Sequence, residues 1–214
     1  FPAWAATAAS GRKRLVAAMR AFGFWGVPPL DLPPGAVVAS GRYGDDGLLS
    51  PEAKMDPLAI AWAACGQEQV VATPLQMALV ASAVANGGTI MVPYLVQEVR
   101  TPADKVVGRA APAEWLEAVK PATALTLNEM MQRVVTSGTG MGAAVEGVKV
   151  AGKTGTAERG DGTNLAWFIG FAPADDPRVA VAVVVEDTFS TGGAEAAPLA
   201  ADVMQAALAA TRLP

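Results

Sequence analysis

Three short apolar runs near the end of the chain constrain its fold more than any other feature. Residues 148–152, 167–171 and 179–186 are enriched in Val and aromatic side chains and have the length of single strands. The polar stretch 160–164 precedes the second run, and Asp175-Asp176-Pro177 makes a turn between the second and third. A closing helix follows over about residues 194–210, with Leu199, Val203 and Leu208 as its apolar anchors. Helical stretches occupy the earlier chain. Helices first and an antiparallel hairpin set last predict an α+β domain in which helices cover a sheet face.

Residues 3–9 and 15–22 read as helix, because Ala, Leu, Met and Arg are good helix formers and Leu15, Met19 and Phe22 share one face. Gly11 interrupts this stretch or separates two helices. Gly23 ends it, and Pro28-Pro29, Pro33-Pro34 and Gly35 then impose an extended loop to about residue 52, either a lid or a surface wrap. Residues 57–64 form a short helix or strand ending at Gly66. Thr73-Pro74 marks a helix start, with threonine as N-cap and proline at the first helical position. That helix runs through Leu75, Leu79 and Ala83 to Asn86, where Gly87-Gly88 stops it. Residues 90–100 are extended and broken at Pro93. Residues 123–135 form another helix, with Leu127, Met130, Met131 and Val134 as its apolar face. No internal repeat is visible.

A chain of 214 residues that is 52% apolar and 17% charged can bury a substantial core, enough for one domain or one and a half. The net charge of -4 and the lack of a long Lys/Arg block argue against a nucleic-acid surface. Gly11-Arg12-Lys13-Arg14 reads as the polar start of a helix. The single cysteine, Cys65, excludes an intrachain disulfide framework and is expected to be a buried, inert thiol. The absence of histidine removes a His-based triad, His-containing zinc sites and histidine acid–base catalysis together. Covalent chemistry would therefore need lysine or a carboxylate as its base. No signal peptide and no apolar span of about 18 residues is present, and the start at Phe1 suggests an incomplete or processed chain.

The segment with most chemical content is Lys153-Thr154-Gly155-Thr156-Ala157-Glu158, placed directly after a strand candidate. At a sheet edge such a segment presents an ammonium group, two hydroxyls and open backbone N–H groups to one ligand. Lys153 can attract a carboxylate and Thr154 and Thr156 can donate hydrogen bonds to it. Gly155 permits close approach, and a backbone N–H beside Thr156 can face a developing oxyanion. As an isolated string it also fits a surface turn that holds a lysine and two threonines.

The context narrows that choice. Gly66-Gln67 is followed by Ala72-Thr73-Pro74-Leu75-Gln76-Met77-Ala78 and then by Ala85-Asn86-Gly87-Gly88. Next come Val134-Val135, Gly138-Thr139-Gly140, the segment from Ala151 to Glu158, and Ala166-Trp167-Phe168-Ile169-Gly170-Phe171-Ala172-Pro173. In this order the chain resembles the class B penicillin-binding proteins, the peptidoglycan DD-transpeptidases of the septal and elongation machinery. The resemblance runs from about residue 15 almost to the end, whereas Lys-Thr-Gly alone also fits serine β-lactamases.

The resemblance implies the penicillin-binding protein and serine β-lactamase-like transpeptidase fold, incomplete here, with residues 1–214 as the C-terminal portion of one transpeptidase domain. It implies that Lys153 and Thr154 border the acyl-donor site. Thr156 would grip the terminal carboxylate of a D-alanyl-D-alanine stem peptide or of a β-lactam, and its amide would form half of the oxyanion hole. Trp167 and Phe168 would pack the sheet, and Gln67 and Thr73 would be structural. It further implies no cofactor, an anchor outside this chain, and a place on the extracytoplasmic face of a bacterial membrane. Peptidoglycan stem peptides, β-lactams, the upstream part of the same protein and the division or elongation machinery are the partners it suggests.

The chain departs from the family where the nucleophile belongs. The family uses a Ser-x-x-Lys helix start and a Ser-x-Asn loop, and no Ser-x-Asn occurs here. Ser10-Gly11-Arg12-Lys13 matches the first pattern formally but holds glycine and arginine where the family helix is compact, and it lies too close to Gly66-Gln67. Ser50-Pro51-Glu52-Ala53-Lys54 has the wrong spacing for two side chains on one helical face. Both motifs are therefore expected upstream of Phe1, so that this chain alone is inactive. A degenerate domain that senses peptidoglycan or β-lactam without turnover is the second reading, and a serine β-lactamase the third.

Overall fold

The computed structural model describes residues 8–67 and 69–210. The first helix, α1 (Ala8–Ala21), passes through Gly11 without a break, and residues 3–7 of the expected first helix lie outside the described residues. Gly23 ends this helical region in a left-handed conformation, φ 91°. Within the expected loop the chain makes a small hairpin, β1 (Gly41–Gly44) and β2 (Gly47–Leu48), to which β3 (Val70–Val71) adds. Between them lies α2 (Pro57–Ala64), capped by the Asp56 carboxylate, which accepts from the Ala59 amide at 2.8 Å.

The helix α3 (Pro74–Ala85) starts where expected. Thr73 Oγ1 accepts from the Gln76 amide at 3.1 Å, Pro74 occupies the first turn and Asn86 is the C-cap. The Thr73 amide in turn donates to Ser40 Oγ at 3.0 Å, and the buried Gln76 side chain donates from Nε2 to the Phe22 carbonyl at 2.6 Å. These two bonds tie the helix start to β1 and to the end of α1. Two ribbons follow: β4 (Thr89–Met91) pairs with β7 (Glu114–Glu117), and β5 (Glu98–Arg100) with β6 (Val106–Arg109).

The next helix, α4 (Pro121–Ser137), exceeds its expected bounds at both ends. It buries Met131 and Val135, while Met130 is 59% exposed, so the apolar stripe is rotated from the expected one. The principal sheet has order β10-β9-β8, all antiparallel, from β8 (Ala151–Glu158), β9 (Asn164–Ala172) and β10 (Val179–Thr188). The first of these strands begins later than its apolar pattern indicates. Val145 and Val148 bridge each other around Gly147, which withdraws that end of the run into a turn. Lys153 to Glu158 therefore lie inside β8 rather than after it, each paired with a residue of β9.

The two sheet faces differ. Phe168, Ala172 and Val181 face α5 (Ala197–Ala210), where they form the main core with Ala200, Met204 and Leu208. Phe171 and Ala151 face the other way, against Val84 of α3 and Met131 of α4. A π-helical turn, Gly192–Ala196, leads into α5. The anchors on α5 are Ala200, Met204 and Leu208 at a spacing of four. Leu199 and Val203, expected as anchors, are 48% and 50% exposed. Small residues at Ala197 and Ala200 let the helix lie close to the sheet, and that choice of face turns Leu199 and Val203 outward. Among the described residues, no helix is long and apolar enough to cross a membrane.

Candidate functional site

The face of the sheet that carries Phe171 is covered by α3 and α4 at one end only. Toward its other end the pairs Lys153–Ile169, Gly155–Trp167 and Ala157–Leu165 occupy the same face. There they line a cleft of about 320 Å³, whose opposite wall is Cys65, Gly66, Val70, Val71 and Ala72, with Met77 and Phe24 behind. The sheet order makes β8 an edge strand. At its outer edge Gln67 Nε2 donates to the Thr156 carbonyl at 3.4 Å. Because a strand residue directs its N–H and C=O to the same side, the Thr156 amide also faces this open edge, and two residues earlier so does that of Thr154. The Lys153 ammonium donates to the Thr154 carbonyl.

The two hydroxyls of the segment belong to the other face. Thr154 pairs with Phe168 and is buried, and its Oγ1 lies 2.6 Å from Thr139 Oγ1 in the turn after α4. Thr156 Oγ1 accepts from the Gly192 amide at 3.3 Å. Gly192 and Gly193 are required here by contact: a Cβ on Gly192 would lie 2.1 Å from the Trp167 carbonyl oxygen, and one on Gly193 2.2 Å from that of Thr139. At the β8–β9 turn, Asp161 Oδ1 accepts from the Thr163 hydroxyl and also from its amide, which holds its carboxyl below the usual aspartate range. Arg159 pairs with Asp187 across the end of the sheet.

Lys153, Thr154, Gly155 and Thr156 thus stand together at one strand edge, with the ammonium on one face, the hydroxyls on the other and open amides between them. Such an arrangement can hold a carboxylate laid along the edge. Trp167 departs from expectation, since it is half-buried and lines the cleft, while Phe168 is fully buried as a sheet-packing residue. Cys65 is exposed in the cleft wall instead of buried, because it follows α2 as a C-cap just before the left-handed Gly66. Ser10 and Lys13 are exposed on α1 and do not line the cleft. Ser50 lies in a turn with its hydroxyl donating to Glu52 at 2.6 Å. Thr139 and Gly192 were not singled out as site residues by the sequence; Thr139 entered only within Gly138-Thr139-Gly140 as a mark of the family, and Gly192 has no signal but the glycine beside it.

The domain described as the penicillin binding protein transpeptidase domain matches residues 8–205. The chain belongs to the penicillin-binding protein transpeptidase family. Within this family it is 40% identical over 209 residues to the peptidoglycan D,D-transpeptidase PbpA of Mycolicibacterium smegmatis, covering 93% of this chain and 40% of that protein. It is 35% identical to stage V sporulation protein D of Bacillus subtilis, covering 92% of this chain and 31% of that one. The D,D-transpeptidase domain of a peptidoglycan glycosyltransferase from Eggerthella lenta superposes with a TM-score of 0.81 at 37% identity, over 95% of this chain and 49% of its own. Penicillin-binding protein A of Mycobacterium tuberculosis, as an imipenem acyl-enzyme complex, gives 0.76 at 37% identity, over 92% of this chain and 42% of its own. The chain is a class B family member by these likenesses, and it spans less than half the length of each of these relatives.

Proposed function

We propose that this chain forms the Lys-Thr-Gly side of a serine DD-transpeptidase site, and that the serine nucleophile lies in the remainder of the protein. The single observation that carries the proposal is the edge strand β8, which sets Lys153 on the cleft face, the Thr154 and Thr156 hydroxyls on the opposite face and outward-facing amides along the edge between them. The carboxylate of a D-alanyl-D-alanine stem peptide, or of a β-lactam, binds to Lys153, Thr154 and Thr156, and Gly155 admits its backbone. A serine hydroxyl then attacks the penultimate D-alanine carbonyl. The serine O–C bond forms, and the oxygen that takes up charge faces the Thr156 amide. The C–N bond breaks and terminal D-alanine leaves with the proton. An amine of a neighbouring stem peptide then attacks the ester, forms the cross-link and returns the serine.

The remainder of the protein has two places to dock. Among the described residues the outer edge of β8 beside the cleft carries no strand, and neither does the outer edge of β10, although helices cover both faces of β10. A ten-residue strand of mostly valine and alanine left as an open edge invites a further strand. The same reading puts the domain on the extracytoplasmic face of a bacterial membrane, held by an anchor elsewhere in the protein, beside the division or elongation machinery.

The test is intact mass of this chain and of the full-length gene product before and after a labelled penicillin. An adduct on the full-length protein alone supports the proposal. Adducts on neither point to a degenerate domain that binds peptidoglycan or β-lactam without turnover. An adduct on Ser10 of this chain overturns the assignment of the nucleophile.

A further inference from the structure

We infer that Thr139 and the Gly192 amide are positioning groups that set the direction of the two threonine hydroxyls, and so make the site selective for a ligand ending in an ionised carboxylate. This rests on the reading above, in which Thr154 and Thr156 meet that carboxylate. A hydroxyl has one proton to give and two lone pairs to accept with. A backbone N–H can only donate, so at 3.3 Å from Gly192 the Thr156 oxygen is the acceptor and its proton remains for a ligand. Thr139 and Thr154 lie 2.6 Å apart, oxygen to oxygen, and a single proton occupies that contact. If Thr139 supplies it, Thr154 keeps its own proton for the ligand. If Thr154 supplies it, the site offers the ligand one donor fewer.

An ionised carboxylate accepts only, and therefore selects the first arrangement. The two bonds then run as short relays, from Thr139 through Thr154 and from Gly192 through Thr156, each ending on the anion. Each bond in such a chain polarises the next. A neutral ester or amide terminus draws less from the same alignment, which is the origin of the selectivity.

The relay is held from outside the strand. The Gly138 and Gly140 amides both donate to the Val134 carbonyl, at 3.2 and 2.9 Å, which fixes the turn that carries Thr139 to the end of α4. Thr188 donates to Glu195 at 2.8 Å, pinning the start of the loop that carries Gly192, and that loop seats Gly193 against the backbone of Thr139. The hydroxyl oxygens are thus placed before a ligand arrives, the condition under which a positioning group contributes most.

The experiment compares full-length wild type with Thr139→Val and Thr139→Ser. It reads the dissociation constant of the first, non-covalent step and the acylation rate for penicillin G and for its methyl ester. Thr139→Val is expected to weaken the first step for the free acid by roughly several-fold, because Thr154 keeps its proton but loses the bond that aims and polarises it, with a smaller loss for the ester. Thr139→Ser is expected to restore wild-type values. Equal losses for acid and ester, or no loss for the acid, overturn the inference while leaving the transpeptidase reading in place. A wild type acylated by neither compound overturns both. If Thr139→Val lowers the melting temperature, Thr139→Ala carries the same comparison.

Discussion

The ring of Phe168 fills the space that a side chain on Gly152 would need. A Cβ at Gly152 would lie 2.1 Å from Phe168 Cζ and 2.7 Å from Cε2. Gly152 pairs with Gly170 across the strands, and Phe168 is the partner of Thr154, so the two glycines form a slot that seats the ring directly opposite a site residue. Gly152→Ala must displace the ring from the α5 core. The expected cost is about 1–3 kcal/mol, typical of overpacking. Gly160→Ala is the control, because nothing lies within 4 Å of a Cβ there, and its expected effect is below about 0.5 kcal/mol. Urea unfolding of the full-length protein with each substitution measures both.

A second prediction concerns the face of α5 that holds the sheet. Met204 is fully buried in the core with Phe168 and Val181, whereas Leu199 and Val203 point to solvent. Met204→Ala is expected to cost about 2–5 kcal/mol through lost burial and the cavity it leaves. Leu199→Ala and Val203→Ala should each stay within about 0.5 kcal/mol of the parent. A large loss at Val203 in the same unfolding assay would contradict the observed packing.

Lys153 carries the third. Its ammonium rests on the Thr154 carbonyl at the mouth of the cleft, and the side chain is otherwise exposed. Lys153→Met keeps most of the stem and removes the charge. The expected result is a roughly tenfold weaker first-step binding of penicillin by the full-length protein, since a hydrogen bond to a charged partner is lost. Raising the salt concentration should weaken the wild type more than the variant, because only the wild type keeps the attraction that salt screens. Equal affinities across that series would remove Lys153 from the ligand.

The elements that sequence revealed are those in which local chemistry and tertiary contact agree. Thr73-Pro74 starts α3 because a threonine cap and a proline at the first turn are both satisfied within the helix itself. The strands of the main sheet were visible because valine and aromatic runs are bounded by polar turns. Helix phase was less legible. On α5 Leu199 is exposed while Ala200 beside it is buried, because close approach to the sheet favours a small side chain there, and Met130 and Val203 are exposed beside the buried Met131 and Met204, where the rotation of the helix and not apolar character decides. The Lys153 to Thr156 group was legible as a motif, but its division between two faces was not, since the segment reads as following a strand and only its pairing within β8 makes alternate residues face opposite ways. Thr139 was visible only within Gly138-Thr139-Gly140 as a mark of the family, and nothing in that motif ties it to Thr154 fifteen residues on. Only the meeting of the α4 turn with β8 makes it part of the site.

Cys65 supplies the last prediction. An apolar stretch ending in cysteine suggests burial, yet this thiol is exposed in the cleft wall opposite Lys153 and Trp167. Exposure follows from α2 ending there, with Cys65 as the C-cap and the chain turning at Gly66. A buried thiol would react only as the protein opens, whereas an exposed one reacts with the native state. Iodoacetamide is therefore expected to alkylate Cys65 in the native full-length protein at a rate near that of the urea-unfolded chain, read by peptide mass. Because the cleft is only about 320 Å³, a ligand lying along β8 should cover the thiol. Prior incubation with penicillin is then expected to slow alkylation several-fold, and Cys65→Ser should leave acylation by penicillin unchanged. Native alkylation far slower than in urea would show that another part of the protein closes the cleft. Alkylation unaffected by penicillin would show that the ligand lies elsewhere than against this wall.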